Sequence, residues 1–97
     1  MIQHITLITF KAGTDAEQQQ AVLDAFKRLP ELIPAMQNFQ VGLDLGLLEG
    51  NSELAVTAQF SSEKDFLAYA THSAHTDVIF PVCGDVMASY ATSQFET

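Results

Sequence analysis

The chain has 97 residues, which suits one domain, so we expect residues 1–97 to form a single unit. Hydrophobic residues make up 47% of the sequence, which is enough for a packed core and excludes a disordered or fibrous chain. The formal net charge is -8 and the four basic residues are scattered. The chain therefore lacks the basic patch that binding to nucleic acids or to anionic membrane surfaces requires.

The sequence also indicates a cellular compartment. It holds no run of about 18 or more apolar residues, so no membrane span is predicted. The first residues, MIQHITLITFKAG, lack the basic leader and cleavage site of a signal peptide. The single cysteine, Cys83, cannot form an internal disulfide, and its apolar neighbours predict a buried core residue. We therefore expect a cytoplasmic protein.

Residues 2–11 are rich in β-branched and aromatic types and predict a first strand. A period of two divides the side chains between two faces. One face carries Ile2, His4, Thr6, Ile8 and Phe10, and the other carries Gln3, Ile5, Leu7 and Thr9. Because both faces carry apolar residues, we expect both to be at least partly buried.

A helix is predicted from about Asp15 to Leu29. Thr14 and Glu17 have the spacing of a capping box, which satisfies free backbone N–H groups at a helix start. The inner stripe of this helix would consist of Val22, Leu23, Phe26 and Leu29. Pro30 ends or bends the helix, and residues 31–36 are interpreted as a short turn.

The second half of the chain predicts two strands, a broken helical region and a last strand. The strands cover residues 39–47 and 53–60 and form a hairpin. Ser61 and Ser62 are good N-caps for a helix from about Glu63 to Thr71. The sequence HSAH at 72–75 interrupts that helix, and a short helical segment near His75 would end at Gly84. Residues 86–95 form the last predicted strand.

The resulting order is β-α-β-β-α-β, which predicts an α+β fold of the ferredoxin-like type. A four-stranded antiparallel sheet would carry both helices on one face. The opposite face, with Ile5 and Leu7, would need another cover. A second copy packing sheet to sheet is the simplest one, so we expect a symmetric homodimer.

Four polar residues stand out as candidates for chemistry: His4, Tyr69, His72 and His75. Tyr69 and His72 are three apart and share a helix face. His75 would point away from them if the helix continued, so a bend at Ser73-Ala74 is needed to bring it back. Histidine suits general acid–base work near neutral pH, and a tyrosine hydroxyl can hold a substrate oxygen.

Two other interpretations of these residues remain open. Tyr69 and His4 can be satisfied core residues, with His72 in an exposed loop. Alternatively, His4, His72 and His75 can be metal ligands, although no second motif supports a metal site. No glycine-rich phosphate loop and no nucleophilic serine elbow occur, so we predict no cofactor.

Three segments, in order along the chain, resemble the stress-responsive dimeric α/β-barrel (Dabb) family. They are IQHITLITFK with His4, the IPAM segment before FQVGLD at 39–44, and YATHSAH at 69–75. The resemblance implies a ferredoxin-like protomer and a homodimer whose two sheets form a central barrel. Most members have no assigned reaction, and some are stress-induced oligomers.

Among the enzymes of that family, the Tyr-x-x-His-x-x-His motif resembles the one in the plant polyketide cyclase that forms olivetolic acid. That resemblance implies Tyr69 and His75 as the catalytic pair and His4 as a pocket residue. The family usually has proline after the middle histidine, where this chain has Ser73. Serine leaves the bend that places His75 less constrained.

The sequence thus suggests a cofactor-free lyase, cyclase or isomerase acting on a small carbonyl compound. His75 would be the base, Tyr69 would hold the substrate oxygen, and His4 would orient one of them. Phe10, Phe26 and Phe66 would line the substrate site. The alternative is a non-catalytic stress-responsive or ligand-binding oligomer. A cofactor-free oxygenase is a third interpretation, since related barrel dimers include such enzymes, but no residue of this sequence selects it.

Overall fold

The computed structural model describes all 97 residues. The elements in chain order are β1 (Ile2–Phe10), α1 (Ala16–Lys27), the helical turn α2 (Leu29–Leu32), β2 (Gln37–Leu43), β3 (Leu54–Phe60), α3 (Glu63–Ala70), a π-helical turn (His75–Ile79), α4 (Phe80–Cys83) and β4 (Met87–Glu96). The predicted β-α-β-β-α-β order is confirmed. None of the helices is long and apolar enough to cross a lipid bilayer.

The four strands form one antiparallel sheet in the order β2-β3-β1-β4, so β1 lies in the centre between β3 and β4. The register places His4 opposite Ala58 on β3 and opposite Gln94 on β4. Residues directly opposite each other share a face of the sheet. His4 and Gln94 are therefore neighbours on the face that the helices cover.

The core lies between that face and the helices. Alternate residues of β3 are completely buried, namely Leu54, Val56, Ala58 and Phe60. Val22 and Phe26 of α1 pack against them, as their helical spacing predicts. Cys83 is buried in the same core, which confirms its predicted location.

The start and end of the first helix differ from the prediction. The capping box is formed by Asp15 and Gln18, and each side chain bonds the other residue's backbone N–H. The helix begins at Ala16, so Asp15 occupies the cap position, and Thr14 lies one residue before it with its hydroxyl donating to the carbonyl oxygen of Lys11. The helix ends at Lys27, and Pro30 lies in the first turn of α2. Proline is tolerated there because a helix start leaves its first N–H groups free.

Strand β2 also differs from its predicted range of residues 39–47, because it begins at Gln37 and ends at Leu43. Asp44 accepts a hydrogen bond from the backbone N–H of Gly46, whose φ of 75° is in the left-handed region. This turn directs the chain out of the sheet. Leu45 and Leu47 consequently lie in an exposed loop rather than on the strand.

No helix covers the opposite face of the sheet, and the loop after β2 lines a groove beside Leu7 there. Leu7 is 40% exposed there and is flanked by small residues, Ala55 on β3 and Ala91 on β4. The chain exposes 6021 Å², whereas a compact monomer of its 10.6 kDa mass would expose about 5,500 Å². The excess surface is consistent with a face that is buried against another molecule.

Candidate functional site

The C-terminal half of α3 brings Tyr69 onto the helix-covered face of the sheet. Ser62 caps the helix, because its hydroxyl oxygen accepts a hydrogen bond from the backbone N–H of Asp65. Phe66 and Tyr69 are three residues apart and both lie against the ring of Phe60 on β3, with centroid distances of 5.5 and 5.0 Å. Tyr69 is only 4% exposed, so its ring is part of the core.

The HSAH segment forms the bend that the sequence required. The carbonyl oxygen of Ser73 accepts hydrogen bonds from the backbone N–H groups of Thr76 and Asp77, at 3.1 and 2.8 Å. The side chain of His72 accepts at Nδ1 from the backbone N–H of Ala74, at 3.0 Å. These bonds fix the break without a proline, and they give His72 a structural role. A π-helical turn begins at His75, and such turns occur frequently at functional sites.

The bend brings His75 against Tyr69. Their ring centroids are 4.6 Å apart at an interplanar angle of 83°. His75 Nδ1 lies 3.3 Å from the carbonyl oxygen of His72. A carbonyl oxygen only accepts, so Nδ1 carries the proton and donates it, and Nε2 keeps its lone pair.

The hydroxyl of Tyr69 has no hydrogen-bond partner in the chain. Every fully buried polar side-chain atom has a partner, so this hydroxyl is not fully buried. The hydroxyl oxygen is therefore accessible from the cavity that Tyr69 and His75 both line. This arrangement presents one proton acceptor, His75 Nε2, and one proton donor, the Tyr69 hydroxyl, to the same space.

His4 is buried on β1, and both of its ring nitrogens are engaged. Gln94 Nε2 lies 3.0 Å from His4 Nδ1, and His4 Nε2 lies 3.0 Å from the hydroxyl oxygen of Thr6. His4 makes no hydrogen bond with Tyr69 or His75. Its ring packs against that of Tyr69 in an edge-on contact with centroids 5.5 Å apart. Any orienting effect on Tyr69 thus acts through packing.

The cavity has a volume of about 450 Å³ and lies between strands β1 and β4 and the segment from α3 to α4. None of its lining residues is Asp, Glu, Lys or Arg. Phe26 and Phe66 line it, as expected from the sequence. Phe10 does not line the cavity, although its neighbours Ile8 and Met87 do. Phe10 is instead part of the core.

Four polar residues line the cavity that are not among the predicted site residues, namely Thr6, Tyr90, Thr92 and Gln94. Three of them alternate along β4, so the period-two pattern of the last strand contains the signal. Whether that set faces the helices or the opposite side depends on the β1–β4 register. A shift of one residue would reverse the faces, and the sequence alone does not fix that register.

The three histidines do not form a metal site. No group of three His, Cys, Asp or Glu side chains in the chain is arranged to hold a metal ion. Both nitrogens of His4 and Nδ1 of His72 are already used in hydrogen bonds within the protein. The metal-ligand interpretation is therefore not supported by the donor geometry.

Burial shifts the pKa values of His4, Tyr69 and His75. Burial lowers the pKa of His4, and the nearby His75 lowers it further. Burial also lowers the pKa of His75, although the hydrogen bond to the His72 carbonyl opposes that shift. Burial raises the pKa of Tyr69 to about 12. At neutral pH the site therefore contains two neutral histidines and a protonated tyrosine.

We expect stability to fall as the pH is lowered below the usual histidine pKa of 6.5. The folded-state pKa values of His4 and His75 are lowered, so the unfolded chain binds more protons between those values and 6.5. Their contribution is fully present above pH 6.5 and is lost as the pH falls toward the folded-state values. Urea unfolding between about pH 7 and pH 5.5 measures this slope, and a shallower slope is expected for His75→Gln. A free energy of unfolding that rises as the pH is lowered from 7 to 5.5 would contradict the expectation.

Comparison with known proteins identifies the same fold and family. The chain matches the stress responsive A/B barrel domain (Dabb) over residues 2–96. It is similar to a dimeric ferredoxin-like protein of unknown function from Thermobifida fusca, with 32% identity, a TM-score of 0.87 and coverage of 99% of this chain and 90% of that one. A dimeric ferredoxin-like protein from Bacteroides fragilis has 22% identity and a TM-score of 0.85, and the match covers 99% of this chain and 95% of that one.

A hydroxynitrile lyase from Passiflora edulis also has this fold, with 17% identity, a TM-score of 0.80 and coverage of 97% of this chain and 90% of that one. At this identity the likeness concerns the fold alone. No curated protein sequence is significantly similar to the chain. The match over residues 2–96 confirms the family resemblance and the ferredoxin-like fold. The chain belongs to the stress-responsive A/B barrel domain family.

Proposed function

We propose that this protein is a cofactor-free lyase, cyclase or isomerase that moves a proton next to the carbonyl group of an uncharged small molecule. One observation carries the proposal: the free Nε2 of His75 and the accessible hydroxyl of Tyr69 face one cavity, from rings only 4.6 Å apart. A base and an acid at that separation can act on neighbouring atoms of one substrate.

In this mechanism the Tyr69 hydroxyl donates a hydrogen bond to the substrate carbonyl oxygen, and His75 Nε2 accepts a proton from a neighbouring carbon or hydroxyl group. Negative charge that develops on the oxygen is stabilised by the tyrosine, which its raised pKa keeps protonated. The imidazolium that forms is stabilised by the hydrogen bond from Nδ1 to the His72 carbonyl. His75 Nε2 then returns the proton to the product.

The absence of charged side chains from the cavity lining supports an uncharged substrate. A carboxylate or phosphate would lose its hydration there without an Arg or Lys to pair with. The net charge of -8 would also repel anions from the protein. Apolar lining residues such as Phe26, Phe66 and Ile79 favour a molecule with a hydrocarbon or aromatic part.

A lyase with this fold and a resemblance in one motif are compatible with the proposed class of reaction. The hydroxynitrile lyase with this fold acts, by its name, next to an oxygenated carbon. The motif resemblance to the polyketide cyclase that forms olivetolic acid also favours carbonyl chemistry at Tyr69 and His75. Self-association is supported because the Thermobifida and Bacteroides proteins are described as dimeric. We propose that this chain forms a homodimer through the uncovered sheet face.

Proton exchange at carbon tests the proposed function without knowledge of the natural substrate. Phenylacetone, acetophenone and the cyanohydrin mandelonitrile are incubated with the protein in D₂O, and NMR follows deuterium entry next to the carbonyl group or cleavage of the cyanohydrin. We expect the protein to accelerate at least one reaction, and to leave the anion phenylpyruvate unaffected. If the wild type accelerates none beyond the rate with Tyr69→Phe/His75→Gln, the result contradicts the proposed function and favours a ligand-binding or stress-responsive oligomer.

A further inference from the structure

A chain of hydrogen bonds crosses from β4 to β1 and ends at the cavity. Gln94 donates from its amide nitrogen to His4 Nδ1, and His4 Nε2 lies 3.0 Å from the Thr6 hydroxyl. An amide nitrogen donates and does not accept, so Nδ1 of His4 must be the unprotonated nitrogen. The proton of His4 is then on Nε2 and is donated to Thr6. The amide of Gln94 thus sets the direction of the whole chain.

Thr6 is the last member of this chain, and its own proton is unused. Its hydroxyl oxygen accepts from His4, and no acceptor within the protein receives the Thr6 hydroxyl proton. Thr6 lines the cavity together with Tyr69 and His75. Hydrogen bonds in such a chain polarise one another, so a hydroxyl that already accepts becomes a better donor.

We propose that Thr6 is a second hydrogen-bond donor to the substrate, directed into the cavity by Gln94 and His4. The substrate accordingly carries a second uncharged oxygen acceptor besides the carbonyl group that Tyr69 binds, as a diketone or a hydroxyketone does. This inference rests on the proposed function of the cavity. It gives Thr6 a binding role and makes His4 and Gln94 positioning residues. This role explains why strand β1, in the middle of the sheet, carries a buried histidine without a free nitrogen.

The direction of the chain can be measured without any substrate. Nitrogen-15 NMR of the imidazole groups distinguishes a proton on Nε2 from a proton on Nδ1. We expect neutral His4 to carry its proton on Nε2 in the wild type, and Gln94→Leu to weaken that preference. A proton on Nδ1 would overturn the proposal, because Thr6 would then have to donate to His4 and could not donate to a ligand.

The second oxygen acceptor of the substrate is tested with two probes, 1-phenylbutane-1,3-dione and butyrophenone. They differ only in that the first has a carbonyl group where the second has a methylene group. NMR titration gives both dissociation constants. We expect the wild type to favour the dione by about three- to tenfold, the value of one neutral hydrogen bond. Thr6→Val should remove that preference, and Thr6→Ser, which keeps the hydroxyl, should restore it.

Failure of this inference and failure of the proposed function give different results. If Thr6→Val binds both probes with the wild-type preference, Thr6 does not contact the ligand and the inference is wrong. If the wild type binds neither probe, both the proposed function of the cavity and the inference about Thr6 are wrong. If the wild type binds both probes equally while Nε2 of His4 is protonated, the chain of hydrogen bonds exists but is only structural, and the binding role of Thr6 is refuted.

Discussion

Replacing His75 by glutamine is expected to lower turnover by about 10²–10⁴-fold, the contribution of a positioned general base. The glutamine amide can still donate to the carbonyl oxygen of His72, as Nδ1 of histidine does. It has no nitrogen lone pair that can accept a proton, so only the chemistry is removed. Deuterium exchange into phenylacetone, or into whichever probe the wild type turns over, measures the loss. Urea unfolding at neutral pH checks that the fold is retained.

A matched control and a partner variant separate chemistry from structure. His72→Asn keeps an acceptor for the backbone N–H of Ala74, because asparagine commonly bonds the backbone two residues ahead, so turnover should change little. Tyr69→Phe removes a single oxygen atom and should lose about 10²–10³-fold. The double variant should lose much less than the product of the single losses, as residues that act as a unit do. Wild-type turnover in His75→Gln would refute the base assignment.

Replacing Leu7 by glutamate is expected to convert the proposed dimer into a monomer. Leu7 protrudes from the uncovered sheet face between the small side chains of Ala55 and Ala91, where a second sheet can approach closely. A carboxylate buried there without a partner would cost several kcal/mol, so association should weaken by about 100-fold or more. Light scattering at micromolar concentration gives the mass.

Leu67→Glu is the matched control for this variant. Leu67 lies on the outer side of α3 and is 58% exposed, so it presents a leucine of similar exposure on the helix side of the protein. Its substitution should leave the dimer mass unchanged. A wild-type monomer at the same concentration, or a Leu7→Glu protein that remains dimeric, would show that the uncovered face is not the interface.

Local sequence patterns predicted most of the fold because their causes are local. The alternation of Leu54, Val56, Ala58 and Phe60 predicted β3 and its buried face, and the helical spacing of Val22 and Phe26 predicted the inner side of α1. Element ends were less predictable, because neighbouring residues can each serve as a cap. Thr14 and Asp15 are both good N-cap residues, and the helix begins one residue later than the Thr14–Glu17 spacing indicates, so Asp15 and Gln18 form the capping box.

The candidate site was predictable only in part, because its geometry depends on hydrogen bonds and on a strand register that residue types do not reveal. The Tyr69 and His75 spacing required a bend, and the sequence offered no proline to enforce it. The Ser73 carbonyl and His72 Nδ1 supply the bonds that hold it, and neither is visible from residue type alone. The contribution of Thr92 and Gln94 depended on strand register, which is set by long-range pairing.

A crystal structure of the protein soaked with phenylacetone tests the central claim most directly. The account predicts the ketone in the cavity, with its carbonyl oxygen about 2.6–3.2 Å from the Tyr69 hydroxyl and its benzylic carbon about 3–3.5 Å from His75 Nε2. Density for the ketone at another site, or a cavity filled by side chains of a second subunit, would contradict it.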